Sequence, residues 1–231
     1  LKFKAQIPNL LTLLNLLSGV IGIIFVLKGA LLTGAFFVLI SAGFDFFDGF
    51  VARLLKVQSD MGKELDSLAD VVSFGVLPGL ILFDMAEKSV ESDSYLPYLT
   101  LIVPMLSAYR LAKFNLDTRQ SERFLGLPTP ANALFLSTLP HFADRWPEVA
   151  SWIYTPVALI GIAWIFAILL VTEIPLIALK FKSFAISKNI FRYGLIILSL
   201  AFFTWLQLAG IPLVILAYIG LSLIENARGS E

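Results

Sequence analysis

The sequence contains no cysteine and a single histidine, His141, in 231 residues. Without cysteine there is no disulfide framework and no thiol nucleophile, and the redox compartment is left open. With one histidine, a histidine-rich zinc site is disfavoured as well. Charge is also scarce. Only 15% of the residues are charged, against about 25% in soluble domains. The 17 basic and 17 acidic side chains cancel, which argues against a general nucleic-acid binder. There is no phosphate-binding glycine loop of the P-loop or dinucleotide kind and no Ser-His-Asp arrangement. No low-complexity linker, soluble domain or internal repeat interrupts the chain.

What remains is apolar. Hydrophobic residues make up 58% of the chain and the mean hydropathy is +0.86. That composition points to an integral membrane protein of the all-α class, a polytopic transmembrane helix bundle. A spanning helix needs about 20 mostly apolar residues. On that scale the segments 9–27, 30–54, 62–83, 95–115, 151–172 and 189–208 qualify, with shorter ones at 129–143 and 210–226. About eight helices in one membrane-embedded domain, 1–231, are therefore expected. Pro8 and Asn9 suit the start of the first helix. Gly29, Pro128, Pro130 and the stretch 210–212 read as breaks. The chain opens on Leu1, so a trimmed start is expected, and the apolar run from Leu10 to Leu27 reads as a retained helix, not a signal peptide.

Charge asymmetry orients the bundle. With the N-terminus inside and eight helices, all the lysines and arginines except Lys28, Lys88 and Arg145 fall on one side. The acidic stretch 84–93 falls on the other. Such a bias is the positive-inside rule, and it places both termini at the cytoplasmic face. Trp146, Trp152 and Tyr154 read as an aromatic belt at the opposite interface. His141 and Glu173 read as interfacial residues. The basic cluster Lys180, Lys182, Lys188 and Arg192 is explained by topology, or by attraction to anionic membrane lipid.

Against this background the stretch 44–70 is anomalous, because it carries Asp45, Asp48, Asp66 and Asp70. A carboxylate at the centre of a membrane helix costs roughly 2.5–3.5 kcal/mol on insertion scales. Asp45, Asp48, Gly49, Ala52 and Arg53 share one helical face, as do Gly62, Asp66 and Asp70. The polar turn "KVQSD" between them lets two antiparallel helices bring those faces together. Four carboxylates would then converge beside small residues and repel one another unless cations intervene. Oxygen donors suit two Mg²⁺ or Mn²⁺ ions, with Ca²⁺ as a possible occupant. Arg53 is placed to meet a phosphate. Singly, such aspartates often serve structural ion pairs or ion paths; the registered set with its glycines and arginine favours a chemical site.

The spacing Asp45-x2-Asp48-Gly49-x2-Ala52-Arg53-x8-Gly62-x3-Asp66-x3-Asp70 resembles the complete signature of the CDP-alcohol phosphotransferases. The stretches "IPNLLTLLN" at 7–15, "DSLADVVSFGVLPG" at 66–79, "YRLAKFN" at 109–115 and "GLPTPANA" at 126–133 resemble the branch comprising integral-membrane phosphatidylserine synthases. Together they extend the likeness over more than half of the chain. The resemblance implies a membrane enzyme, often homodimeric, transferring a phosphatidyl group from CDP-diacylglycerol to L-serine with release of CMP. It implies that Asp45, Asp48, Asp66 and Asp70 are metal ligands and that Asp70 is also the general base. It implies that Gly49, Ala52 and Gly62 admit the cytidine nucleotide and that Arg53 supports the site.

Arg110, Lys113 and Asn115 at the end of the fourth helix are candidates for the serine carboxylate or a donor phosphate, or simply interfacial charges. Thr12 and Asn15 on the first helix are candidates for a nucleotide contact, or for helix–helix hydrogen bonding. Two alternatives share parts of this reading. One is the same chemistry with glycerol 3-phosphate or inositol phosphate as acceptor, which would call for more cationic residues near the metals. The other is an ion-coupled transporter, which would call for repeated halves and paired broken helices. Asp45, Asp48, Asp66 and Asp70 all lie in one half of the chain, and no such repeat is evident.

Overall fold

The computed structural model describes residues 2–91, 93–116, 124–177 and 189–229. The expected basic positions Arg119, Arg123, Lys180, Lys182 and Lys188 lie outside these. Each of the eight anticipated segments contains a helix, and the described residues form nine. They are α1 (Lys2–Leu27), α2 (Leu31–Leu55), α3 (Asp60–Glu87), α4 (Ile102–Leu116, entered through a 3-10 turn at Leu96–Leu101), α5 (Thr129–Arg145), α6 (Pro147–Ile153), α7 (Pro156–Val171), α8 (Ile190–Leu206) and α9 (Ile211–Gly229). Two two-residue strands, Phe124–Leu125 and Pro175–Leu176, pair antiparallel and clip the start of α5 to the end of α7. Gly126 follows the first strand with φ +77°, and a Cβ there would stand 2.6 Å from the Leu170 carbonyl. Only glycine fits that crossing.

Two boundaries differ from expectation. Helix α1 begins at Lys2, so Pro8 lies within it and not at its start. Proline removes one i→i−4 bond there, close enough to the helix end for the loss to be local. The segment 151–172 is not one helix: α6 and α7 meet at a 76° bend. Pro156 has no N–H to continue α6, and the Thr155 hydroxyl accepts from the Ala158 N–H at 3.3 Å, which starts a new helix instead.

Among the described residues four helices are long and apolar enough to cross a membrane, or five if the bent pair counts as one span. Their outward faces are apolar: Leu10, Leu13 and Leu17 on α1, Phe46, Phe50 and Leu54 on α2, and Ile197, Leu200 and Trp205 on α8 are all exposed. A water-soluble bundle would present polar residues there. These faces, with the long apolar helices, identify an integral membrane protein.

Helix α3 is the axis of the bundle, 61% buried over its apolar window against 22–33% for the other three long spans. Its lower half carries the fully buried Phe74, Leu77, Ile81, Leu82 and Met85. At Val71–Val76, directly after Asp70, the helix widens into a π-helical turn, a feature frequent at functional sites. Helices α1 and α2 cross closely where Gly22 meets Gly34. A Cβ on Gly22 would lie 2.6 Å from Leu77 Cδ2 and 2.9 Å from Phe37 Cβ. That close approach brings α1, α2 and α3 together two to three helical turns from the aspartates.

Candidate active site

The turn between α2 and α3 sets the geometry. Lys56 ends α2 in the left-handed conformation (φ 54°), and the Lys56 and Val57 N–H groups return to the Arg53 and Ala52 carbonyls at 3.2 and 3.0 Å. This is the usual way of closing a helix. Ser59 then caps α3, its hydroxyl accepting from the Gly62 N–H at 3.1 Å. The two helices are therefore joined by only 56–59, and their acidic faces meet.

Asp45, Asp48 and Asp66 each present a carboxylate oxygen, and the three oxygens lie within 4.8 Å of one another. Asp48 is buried and accepts from the Thr12 hydroxyl at 2.6 Å. Asp70, one helical turn beyond Asp66, is buried too and accepts from Asn15 Nδ2 at 3.2 Å through Oδ1. Asp66 Oδ1 is buried with no hydrogen-bond donor. Among the described residues none of the four carboxylates has a salt-bridge partner. Such a cluster of hard oxygen donors, without a salt bridge among the described residues and in part unpartnered, fits a divalent cation, and the donor set contains no sulfur or imidazole to favour zinc.

Beside the carboxylates opens a cleft of about 450 Å³. Its wall includes Thr12, Asp48, Gly49, Ala52, Gly62 and Asp66. A Cβ on Gly62 would stand 3.2 Å from Ser59 Oγ and 3.3 Å from Asn9 Oδ1, so the glycine keeps this wall open. Arg53 is exposed at the rim, its guanidinium 3.5 Å from where a Gly49 Cβ would be.

The remaining candidates divide. Asn15 is not on the cleft wall. It is fully enclosed, its amide on Asp70 and its backbone carbonyl accepting from Ser41 Oγ at 3.2 Å and Ser73 Oγ at 3.0 Å. Those two serines were not singled out in the sequence, although they stand one turn from Asp45 and Asp70 on the same faces. Arg110 is buried and donates through Nη1 to Thr129 Oγ1 at 2.7 Å. Asn115 donates to Ser67 Oγ at 2.8 Å, and its carbonyl accepts from Lys63 Nζ at 2.9 Å, which ties the end of α4 to the start of α3. Lys113 turns elsewhere, to Glu173 at 3.1 Å on the surface.

Fold and site together define a helical membrane enzyme with a carboxylate centre suited to a divalent cation at one end of the bundle. The sequence matches the family described as CDP-alcohol phosphatidyltransferase over residues 5–169, and the chain belongs to that family. It is 33% identical over 153 residues to the CDP-diacylglycerol–serine O-phosphatidyltransferase of Bacillus subtilis, covering 66% of this chain and 79% of that protein. It is 38% identical over 130 residues to the protein of the same name from Methanocaldococcus jannaschii, covering 56% and 58%. With the archaetidylserine synthase of Methanothermobacter thermautotrophicus it shares 33% over 135 residues, covering 57% and 56%. The chain thus spans between about half and four-fifths of the length of these relatives. Membership of this family removes the transporter alternative.

Proposed function

We propose that residues 1–231 form a single catalytic domain that transfers the phosphatidyl group of CDP-diacylglycerol to the hydroxyl of L-serine, giving phosphatidylserine and CMP. The observation that carries this reading is the convergence of Asp45, Asp48 and Asp66, with Asp70 one turn deeper, beside a cleft kept open by Gly49, Ala52 and Gly62. The names of the relatives support serine as the acceptor over a polyol phosphate. Two divalent cations, Mg²⁺ or Mn²⁺ with Ca²⁺ as a further occupant, would be held by the four aspartates and would supply positive charge for the pyrophosphate and the leaving CMP.

The chain's own residues do the rest. Asp70 takes the serine hydroxyl proton as that oxygen forms its bond to the phosphorus bearing the diacylglyceryl group. The bond from this phosphorus to the bridging oxygen breaks, and CMP leaves with the electron pair. Gly49, Ala52 and Gly62 admit the nucleotide, and Arg53 meets a phosphate at the rim through charge-assisted hydrogen bonds. Thr12 holds Asp48 in place. The acyl chains stay in the bilayer while serine arrives from water. The charge bias supports a cytoplasmic site, the bacterial and archaeal relatives suit a prokaryotic membrane, and the family resemblance supports a homodimer.

Asn15 acts here as a positioning residue. Its amide fixes one oxygen of Asp70 and leaves the other to accept a proton. A hydrogen bond to a charged group contributes about 1.5–3 kcal/mol, so Asn15→Leu is expected to lower kcat roughly 10–100-fold. KM for CDP-diacylglycerol should stay within about twofold, and steady-state kinetics on the folded variant would separate the two parameters. An equal rise in KM would instead put Asn15 in contact with the donor.

The reaction itself is tested by CMP release from purified protein given CDP-diacylglycerol and Mg²⁺ or Mn²⁺, with each alcohol added separately. Release that needs both metal and serine is expected. Release driven instead by glycerol 3-phosphate or inositol phosphate would keep the site and overturn the acceptor.

A further inference from the structure

Helix α3 changes its winding directly after Asp70. The Val71 N–H still returns to the Ser67 carbonyl, four residues back, but the Leu77 N–H reaches the Val72 carbonyl, five back. The local cause is Pro78, which has no N–H to return to Phe74 and so removes one α-type bond from this stretch. A turn closed over five residues takes up about one residue more than an α-helical turn. The two halves of α3 are therefore offset by about 100° relative to an unbroken helix.

Two glycines of α1 mark the side of α3 that faces that helix. A Cβ on Gly19 would stand 2.9 Å from Ser73 Cα, and one on Gly22 would stand 2.6 Å from Leu77 Cδ2. Ser73 Oγ also donates to the Asn15 carbonyl at 3.0 Å. Ser73 and Leu77 thus look at α1. In an unbroken α-helix Asp66 and Asp70, eleven and seven positions before Leu77, would look the same way, because both intervals are close to whole turns of 3.6 residues. The π-helical turn swings them about 100° off that line. They face the angle between α1 and α2 instead. Asp66 places an oxygen within 4.8 Å of oxygens of Asp45 and Asp48, and Asp70 meets Asn15, whose carbonyl also accepts from Ser41 of α2.

We infer that the π-helical turn Val71–Val76 is the positioning element that aims Asp66 and Asp70 at the carboxylates of α2, and that Ser73 pins this turn to α1. The number of residues in the turn sets the angle, and the Ser73 hydroxyl holds the turn against Asn15. With an α-helical α3, the four carboxylates would be divided between two directions and could not share a cation. This rests on the reading of the four aspartates as the cation site of the proposed reaction.

The test is Mn²⁺ binding to the full chain in detergent, followed by electron paramagnetic resonance without substrates. Thermal melting of the metal-free protein and wild-type CMP release are measured alongside. Deleting Val72, a half-buried residue of the turn, lets the helix close as an α-helix, whereas Val72→Ala trims the same side chain at constant residue count. The deletion should weaken Mn²⁺ binding at least tenfold, and Val72→Ala less than twofold. Ser73→Ala removes the pin while the Asn15 carbonyl keeps Ser41. It should melt as the wild type does when free of metal, yet bind Mn²⁺ about threefold to tenfold more weakly, the range of one hydrogen bond. A serine that served packing alone would lower the melting temperature and leave the affinity unchanged. Should the deletion fail to fold, Ser73→Ala decides the matter alone. A folded deletion variant or Ser73→Ala protein that binds Mn²⁺ within twofold of wild type overturns the inference. So does a Val72→Ala variant that binds as weakly as the deletion. If the variants behave as expected but the wild type releases no CMP with serine, the role of the turn stands and the proposed reaction falls. If the wild type binds no Mn²⁺, both fall.

Discussion

Asp70→Asn is expected to leave the bundle folded and to lower turnover by about 10²–10⁴-fold, the range of a positioned general base. The substitution is nearly isosteric, and the Asn15 amide can still donate to the remaining carbonyl oxygen at the position of Oδ1. A carboxamide, however, cannot take the proton of an attacking hydroxyl, and it presents an N–H₂ where an anionic oxygen stood. Asp70 is only 6% exposed, so bulk water has little access to substitute for it. The measurement is single-turnover CMP release, with the melting transition in detergent to show that the fold persists. A turnover within tenfold of wild type, from protein that melts normally, would remove Asp70 from the role of base.

The second large effect is expected from metal removal. Stripping the protein with a chelator should lower CMP release by roughly 10³-fold or more, since several kcal/mol of charge stabilisation is lost at tenfold per 1.36 kcal/mol. Mg²⁺ or Mn²⁺ should restore it. Stability should follow, because an ion that binds only the folded state adds about 2.7 kcal/mol at 100 times its Kd. The aspartates repel one another when nothing lies between them, so the melting temperature should rise on adding Mn²⁺ to the stripped protein. Asp66→Asn should abolish most of that rise, as Asp66 contributes one of the three oxygens within 4.8 Å and its Oδ1 has no donor. Full activity after stripping would exclude a metal role for the cluster, and an unchanged shift in the Asp66 variant would place the ion elsewhere.

Much of this molecule is local in character and therefore legible without a structure. Hydropathy over about 20 residues marks a membrane span wherever it occurs in the fold, so every anticipated segment holds a helix. The carboxylates at 45, 48, 66 and 70 recur at helical spacing, and a short capped turn leaves two consecutive helices no arrangement but antiparallel. Even the bend between α6 and α7 has a local cause in Thr155–Pro156, overlooked because the apolar composition runs straight through it.

The partners of the isolated polar residues are another matter. Asn15 and Asp70 are 55 positions apart, and Arg110 and Thr129 are 19 apart on different helices. Sequence spacing limits which residues share a face of one helix, but not which face of a second helix comes to meet it. That depends on interhelical packing, here on the close crossing at Gly22 and Gly34 and on the π-helical turn that re-aims α3. Sequence alone therefore determined that this is a membrane protein of many helices with a cation-seeking acidic pair of faces. Only the tertiary structure decided that Asn15 stands behind Asp70 and not in the cleft, that Lys113 turns to Glu173, and that Ser73 meets the Asn15 carbonyl, because burial and hydrogen-bond completion are properties of the packed bundle.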